Sequence, residues 1–175
     1  VPVVFILMPL MQSLGAAGGP VPEASLFLFA IIFIMPGAIM AMIMGSMMVG
    51  EEGGAIWRIY SAPISARALV KSKYFFIVFF AFIVAAVTGV VGVVAFHPSV
   101  RAIIVSIAES LLLVFALGAV SLANGIKGAD FTELPRPRMI RTAWSFINLI
   151  ACFAVALAIL APLISYVFTR LVPFL

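Results

Sequence analysis

The chain has 175 residues, of which 66 % are apolar and 9 % charged, with a net charge of +4 and a mean hydropathy of +1.34. Soluble domains carry about 25 % charged residues, so this composition excludes a globule covered by polar side chains and makes lipid the solvent for most of the chain. Inside hydrocarbon each backbone amide must be paired internally, which leaves helices or closed barrels. Apolar runs of about 20 residues without alternation favour helices.

The first apolar run, Val1–Leu14, is short and carries Pro2 and Pro9. With Val1 rather than Met at its start, it reads as the remaining part of a span in a piece cut from a longer protein. A signal peptide is the competing reading, because Gly15-Ala16-Ala17-Gly18 follows, but the positively charged start of such peptides is missing.

The second run, Ala24–Gly50, contains Pro36-Gly37, a predicted kink. Gly37, Ala41 and Gly45 recur every fourth residue, a spacing that lets helix backbones approach closely in lipid. Met40, Met42, Met44, Met47 and Met48 crowd its second half. Thioethers are soft ligands for copper, but these scatter around the helix axis without a Cys or His beside them. Flexible packing or a tolerant cargo surface is the better reading.

Residues 51–73 form the longest charged interval. Ile56, Trp57, Ile59 and Tyr60 recur at helical spacing and put large apolar groups on one face. Glu51 and Glu52 fall at the positive end of a helix beginning near Gly53. Pro63 ends that helix and restricts Ala62. Ser65 caps the next helix, which runs through Leu69 and Lys73 into the third span. Two readings stay open on these residues alone: an interfacial anchor at headgroup level, or a docking element that receives a push from a soluble partner.

Tyr74–Phe96 has 23 residues, about 35 Å as a helix, against a hydrocarbon core of about 30 Å. It repeats the small-residue spacing at Ala81, Ala85 and Gly89. His97 stands at its boundary beside Pro98. The fourth run, Ala102–Ile126, carries Glu109, a carboxylate that in hydrocarbon faces a bundle interior or an aqueous cavity. Glu109 either lines a translocation path or hydrogen-bonds a neighbouring helix. Residues 127–144 are the second polar loop, and Ser145–Phe168 is the last run, with a second predicted kink at Pro162. Asn124 and Asn148 are expected to make interhelical hydrogen bonds.

The fold class that follows is an all-α integral membrane protein, a single polytopic bundle of about five transmembrane segments. The predicted spans are 1–14 (partial), 24–50, 74–96, 102–126 and 145–168. Eight of the ten Lys and Arg residues lie in 51–73 (Arg58, Arg67, Lys71, Lys73) and 127–144 (Lys127, Arg136, Arg138, Arg141). Arg101 and Arg170 lie opposite. By the positive-inside bias both long loops are cytoplasmic and the chain crosses the cell membrane several times. Basic residues beside spans point to anionic lipid headgroups rather than nucleic acid. The single cysteine, Cys152, excludes an intrachain disulfide and a thiolate metal cluster. No Gly-x-x-x-x-Gly-Lys-Ser/Thr run is present and no nucleophile–base–acid set accompanies His97, so no cofactor, metal or catalytic residue is expected on this chain.

Glu52-x-Gly54, Pro63-Ile64-Ser65 eleven residues after Glu52, and Lys73 ten after Pro63 together resemble the first cytoplasmic loop of ABC-2-type transporter permeases. Ser72 departs from the Gly usual before that Lys, and Trp57, Ile59 and Tyr60 stand where Leu is common. A weaker similarity lies in Gly128-Ala129-Asp130-Phe131-Thr132-Glu133-Leu134-Pro135-Arg136-Pro137-Arg138. The resemblance covers roughly residues 24–168. It implies a permease subunit of an ABC exporter, paired with a second permease half, with the first loop as a coupling helix seated in a separate ATP-binding subunit that carries ATP and Mg²⁺. The coupling residues implied are Glu51, Glu52, Gly54, Trp57, Ile59, Tyr60, Pro63 and Lys73. Family permeases usually have six spans, which agrees with truncation. Two rivals remain: an intramembrane enzyme using Glu109 with His97, and a non-transporting scaffold or assembly subunit.

Overall fold

The computed structural model describes residues 22–50, 65–98, 100–129 and 141–171. They form four helices: α1 (Pro22–Met47), α2 (Ala66–Phe96), α3 (Val100–Gly128) and α4 (Thr142–Leu171). Each is long and apolar enough to cross a membrane, and no strand occurs among the described residues. Four of the about five predicted spans, 24–50, 74–96, 102–126 and 145–168, thus correspond to described helices, and the count of five is not established by them. The proposed partial span 1–14 and the proposed coupling helix within 51–64 lie outside the described residues.

Local chemistry sets the visible helix ends. Ser65 has extended backbone (φ −69°, ψ 140°), and its hydroxyl accepts a 3.2 Å hydrogen bond from the Ala68 amide. That satisfies one of the amides an α-helix leaves open at its start. Because α2 begins there, it reaches its apolar run as an unbroken rod, as the sequence predicts. At the far end His97 adopts the left-handed conformation, φ 45°, while its amide donates to the Val93 carbonyl. Pro98 follows and prevents further propagation. Pro36 and Pro162 both sit inside continuous helices. Neighbouring helices make such prolines tolerable in membranes.

Small residues decide how the rods pack. A Cβ built on Gly37 would lie 2.7 Å from the Ala85 Cβ, and one on Gly45 would lie 2.7 Å from the Ser121 Cβ. One on Gly89 would enter the Phe33 ring. Ala41 and Ala81 are fully buried and Ala85 nearly so. Both predicted small-residue stripes are thus contact surfaces, the one on α1 meeting α2 at Gly37 and α3 at Gly45. In lipid no hydrophobic force drives helices together, so close van der Waals approach takes its place.

Two apolar cores result. Ala41, Ile77, Ala81, Val114 and Leu122 join α1, α2 and α3. Ala30, Phe33, Ile34, Ala38, Leu113, Leu117 and Cys152 join α1, α3 and α4. The methionines divide among sides: Met40, Met44 and Met48 pack beside Tyr74 and Val78, Met42 joins the other core, and Met35 and Met47 face outward. This is the scatter expected of flexible filler rather than of a thioether ligand set.

Contacts between Lys73 and Met48, Gly125 and Ser46, and Arg141 and Gly128 bring four helix ends to one end of the bundle. The ends that border 51–64 and those that border 130–140 therefore share it. Five described cations, Arg67, Lys71, Lys73, Lys127 and Arg141, belong to that end, against Arg101 at the other.

Candidate functional site

Among the described residues, the basic end holds a cation drawn deeply into the packing. Lys73 lies two turns into α2 and is only 8 % exposed. Its Nζ donates a 3.0 Å hydrogen bond to the carbonyl of Met48, just beyond the last residue of α1. A helix leaves its final carbonyls unsatisfied and bears partial negative charge there. A buried ammonium at that position meets both needs. Lys73 thereby joins the exit of α1 to the entry of α2, the two points between which residues 51–64 run. Tyr74, the next residue, donates from its hydroxyl to the Phe115 carbonyl at 3.0 Å and fastens α2 to α3.

A second polar group of residues links α3 to α4. Asn124 Nδ2 donates to Asn148 Oδ1 at 3.2 Å. Asn148 Oδ1 also accepts from Cys152 Sγ at 3.5 Å, and Cys152 Sγ stands 3.1 Å from Ser121 Oγ. The expected interhelical role of both asparagines is therefore realised, and each is the other's partner. The involvement of Ser121 and Cys152 was not foreseen. The signal for it was weak: a Ser and a Cys in apolar runs carry no spacing that identifies a partner.

Glu109 behaves differently. Its Oε2 is buried and has no hydrogen-bond partner among the described residues. Ser106 and Ser110, one turn before and one residue after it, are buried as well. A buried acceptor without a partner carries an uncompensated desolvation cost. Such groups in membranes mark functional positions. His97 does not come to it: His97 caps α2 at the bundle end, whereas Glu109 is nine residues into α3, about 14 Å of helix rise. The two residues named in the intramembrane-enzyme reading therefore stand at different depths of the bundle.

Between α2 and the first half of α3 lies an open apolar cleft of about 360 Å³, lined by Phe33, Phe82, Gly89, Val93, Ile107 and Ser110 among others. Glu109 does not line it. Among the described residues no group of His, Cys, Asp or Glu is arranged to hold a metal ion.

Of the residues expected to carry coupling, Lys73 is placed as above. Glu51, Glu52, Gly54, Trp57, Ile59, Tyr60 and Pro63 lie outside the described residues. Against known proteins, the model of one family, described as ABC-2 family transporter protein, matches residues 3–127. No curated protein and no solved structure matches the chain.

Proposed function

Because the chain belongs to the ABC-2 transporter family, we propose that it is the permease subunit of an ATP-binding cassette exporter and that residues 51–73 couple it to a separate ATPase subunit. The match over residues 3–127 carries the reading, since it takes in α1, α2, α3 and the whole of the loop between α1 and α2. In this proposal the chain lies in the cell membrane with 51–73 and 127–144 in the cytoplasm, and a second permease half completes the path. ATP and Mg²⁺ are bound by the partner chain, and this chain positions and moves helices.

Trp57, Ile59 and Tyr60 form the seated apolar face, with Glu51 and Glu52 beside basic groups of the ATPase. Gly54 permits close approach and Pro63 sets the angle into α2. What supports a mechanical role is the Lys73–Met48 hydrogen bond. It spans the two ends of the loop, so displacement of the loop is delivered to α1 and α2 together rather than absorbed by their separation. Tyr74 carries the motion on to α3.

A photo-crosslinking amino acid at position 57 in whole cells tests the coupling. The expected adduct is a protein bearing the Gly-x-x-x-x-Gly-Lys-Ser/Thr phosphate loop, and Trp57→Ala with Ile59→Ala should abolish co-purification of that protein while leaving membrane insertion intact. An adduct only with lipid, or with proteins lacking such a loop, overturns the coupling and favours a scaffold subunit.

Glu109 is assigned to the translocation path on the strength of its partnerless buried oxygen. Glu109→Met should raise thermal stability, because it removes a buried polar group, and should impair export. Lower stability in that variant would instead identify the carboxylate as a structural hydrogen-bonding group.

A further inference from the structure

Arg67, Lys71, Phe75 and Phe79 follow one another at every fourth position of α2, each turned about 40° from the last, and so form one slanting column along its surface. All four are exposed, Phe75 and Phe79 by 68 % and 61 %. The opposite side of α2, through Ile77, Ala81 and Ala85, is buried against the bundle. The column therefore points away from the protein, and for a helix that crosses a bilayer the outward surroundings are lipid. Its chemistry changes once along its length. Two cations occupy the start of α2, and about 6 Å of helix rise beyond Lys71 the aromatic part begins.

No salt bridge engages either cation among the described residues, and no acidic residue among them lies at this end of the bundle. Among the described residues, Arg67 and Lys71 thus present positive charge with no acidic partner directly above exposed aromatic surface. That order, cation then hydrocarbon, complements a molecule with an anionic head and an apolar tail lying parallel to the helix. A guanidinium matches phosphate oxygens in a planar, two-pronged way, and a nearby ammonium adds a compact charge. Tilted and edge-on contacts of Phe80 with Phe76 and Phe79, at centroid separations of 4.6 and 5.7 Å, brace the aromatic part of this surface.

We infer that this column is a binding site for an anionic phospholipid, with the phosphate held between Arg67 and Lys71 and an acyl chain lying along Phe75 and Phe79. The site does not depend on the permease reading. A bound lipid would hold the start of α2 at a fixed depth in the headgroup region, because the Arg67–Lys71 pair cannot sink without leaving its phosphate.

The experiment uses the whole chain in nanodiscs of mixed phosphatidylglycerol and phosphatidylcholine, with the lipids retained after extraction counted by native mass spectrometry. The wild type should retain phosphatidylglycerol selectively. Arg67→Gln with Lys71→Gln should lower that retention about thirtyfold, from a contribution of about 1 kcal/mol for each cation near an anionic surface. Lys127→Gln, a cation of the same end on α3, should lower it by about fivefold at most, the contribution of one cation near an anionic surface. Phe75→Ser with Phe79→Ser should reduce retention while leaving both charges in place. Soluble glycerol phosphate in excess should not displace the lipid, since it lacks the tail. Equal retention of the two lipids, unchanged retention in the Arg67/Lys71 variant, or displacement by glycerol phosphate each overturns the proposal. Selective loss of a co-purifying protein from the Arg67/Lys71 variant, with lipid retention intact, overturns it too and makes the column a protein-docking face.

Discussion

Gly125→Leu should prevent α1 and α3 from assembling, and the protein should be lost from detergent extracts as aggregate. A Cβ at Gly125 would stand 2.6 Å from the Ser46 carbonyl oxygen and 2.8 Å from that of Gly45. Both obstacles are backbone atoms, which cannot turn aside as the end of a side chain can. The helices must separate, and the buried contacts at Gly45, Ser121 and Leu122 go with them. Overpacking a well-fitted interior costs about 1–3 kcal/mol and occasionally more. A leucine against backbone belongs at or above the upper end. Gly118→Ala is the matched comparison on the same helix, because the nearest atom to its Cβ is the Ile77 Cγ2 at 3.6 Å, an ordinary contact. Alanine there should be neutral or mildly stabilising. Size-exclusion profiles after heating distinguish the two. Equal survival of both variants would mean that α1 and α3 do not approach as closely as described.

Lys73→Met should loosen the basic end without unfolding the bundle. The substitution keeps an unbranched chain of similar length and removes the charge, so the Met48 carbonyl loses its donor at the negative end of α1. Hydrogen bonds to charged groups contribute about 1.5–3 kcal/mol. A stability loss of about that size is expected, against little change for substitution at the exposed Lys71. The mechanical consequence is read separately. Spin labels at Met47 and Val70, both exposed and on either side of the Lys73–Met48 contact, should give a broader and longer distance distribution in the Lys73→Met protein. Crosslinking from position 57 should persist in it, since the loop's own apolar face is unchanged. An unaltered distance distribution would show that other contacts hold α1 to α2, and the proposed transmission through Lys73 would fail. Lys73→Arg should keep the charge but restore the contact only in part, because the wider guanidinium replaces a compact ammonium in a buried space.

The contrast between these residues indicates how far the sequence could be read. Ser65 was legible as a cap because capping is settled within three residues, between its own hydroxyl and the Ala68 amide. The apolar runs were legible because hydrocarbon admits so few backbone arrangements. The stripe of Gly37, Ala41 and Gly45 announced a close contact by spacing alone, but not that Gly37 meets α2 while Gly45 meets α3. Lys73 shows the limit more sharply. Its acceptor lies 25 residues earlier in the chain, and only the crossing of α1 and α2 determines that the two meet. Sequence spacing placed Lys73 in a loop motif, whereas packing draws it inside the bundle. The pairing of Asn124 with Asn148 was hidden for the same reason, although the tendency of each to bond across helices was not. Glu109 could be singled out as a costly residue, but its lack of a partner is a property of three-dimensional surroundings.

Cys152 adds a practical consequence. It is the only sulfhydryl in the chain, it is almost fully enclosed, and it is held between Ser121 and Asn148. An alkylating reagent reaches it only when α3 and α4 part, so its modification rate is a built-in clock for that opening event. At labelling times shorter than that opening, a cysteine introduced at an outward position of this chain can be read against it without first removing Cys152.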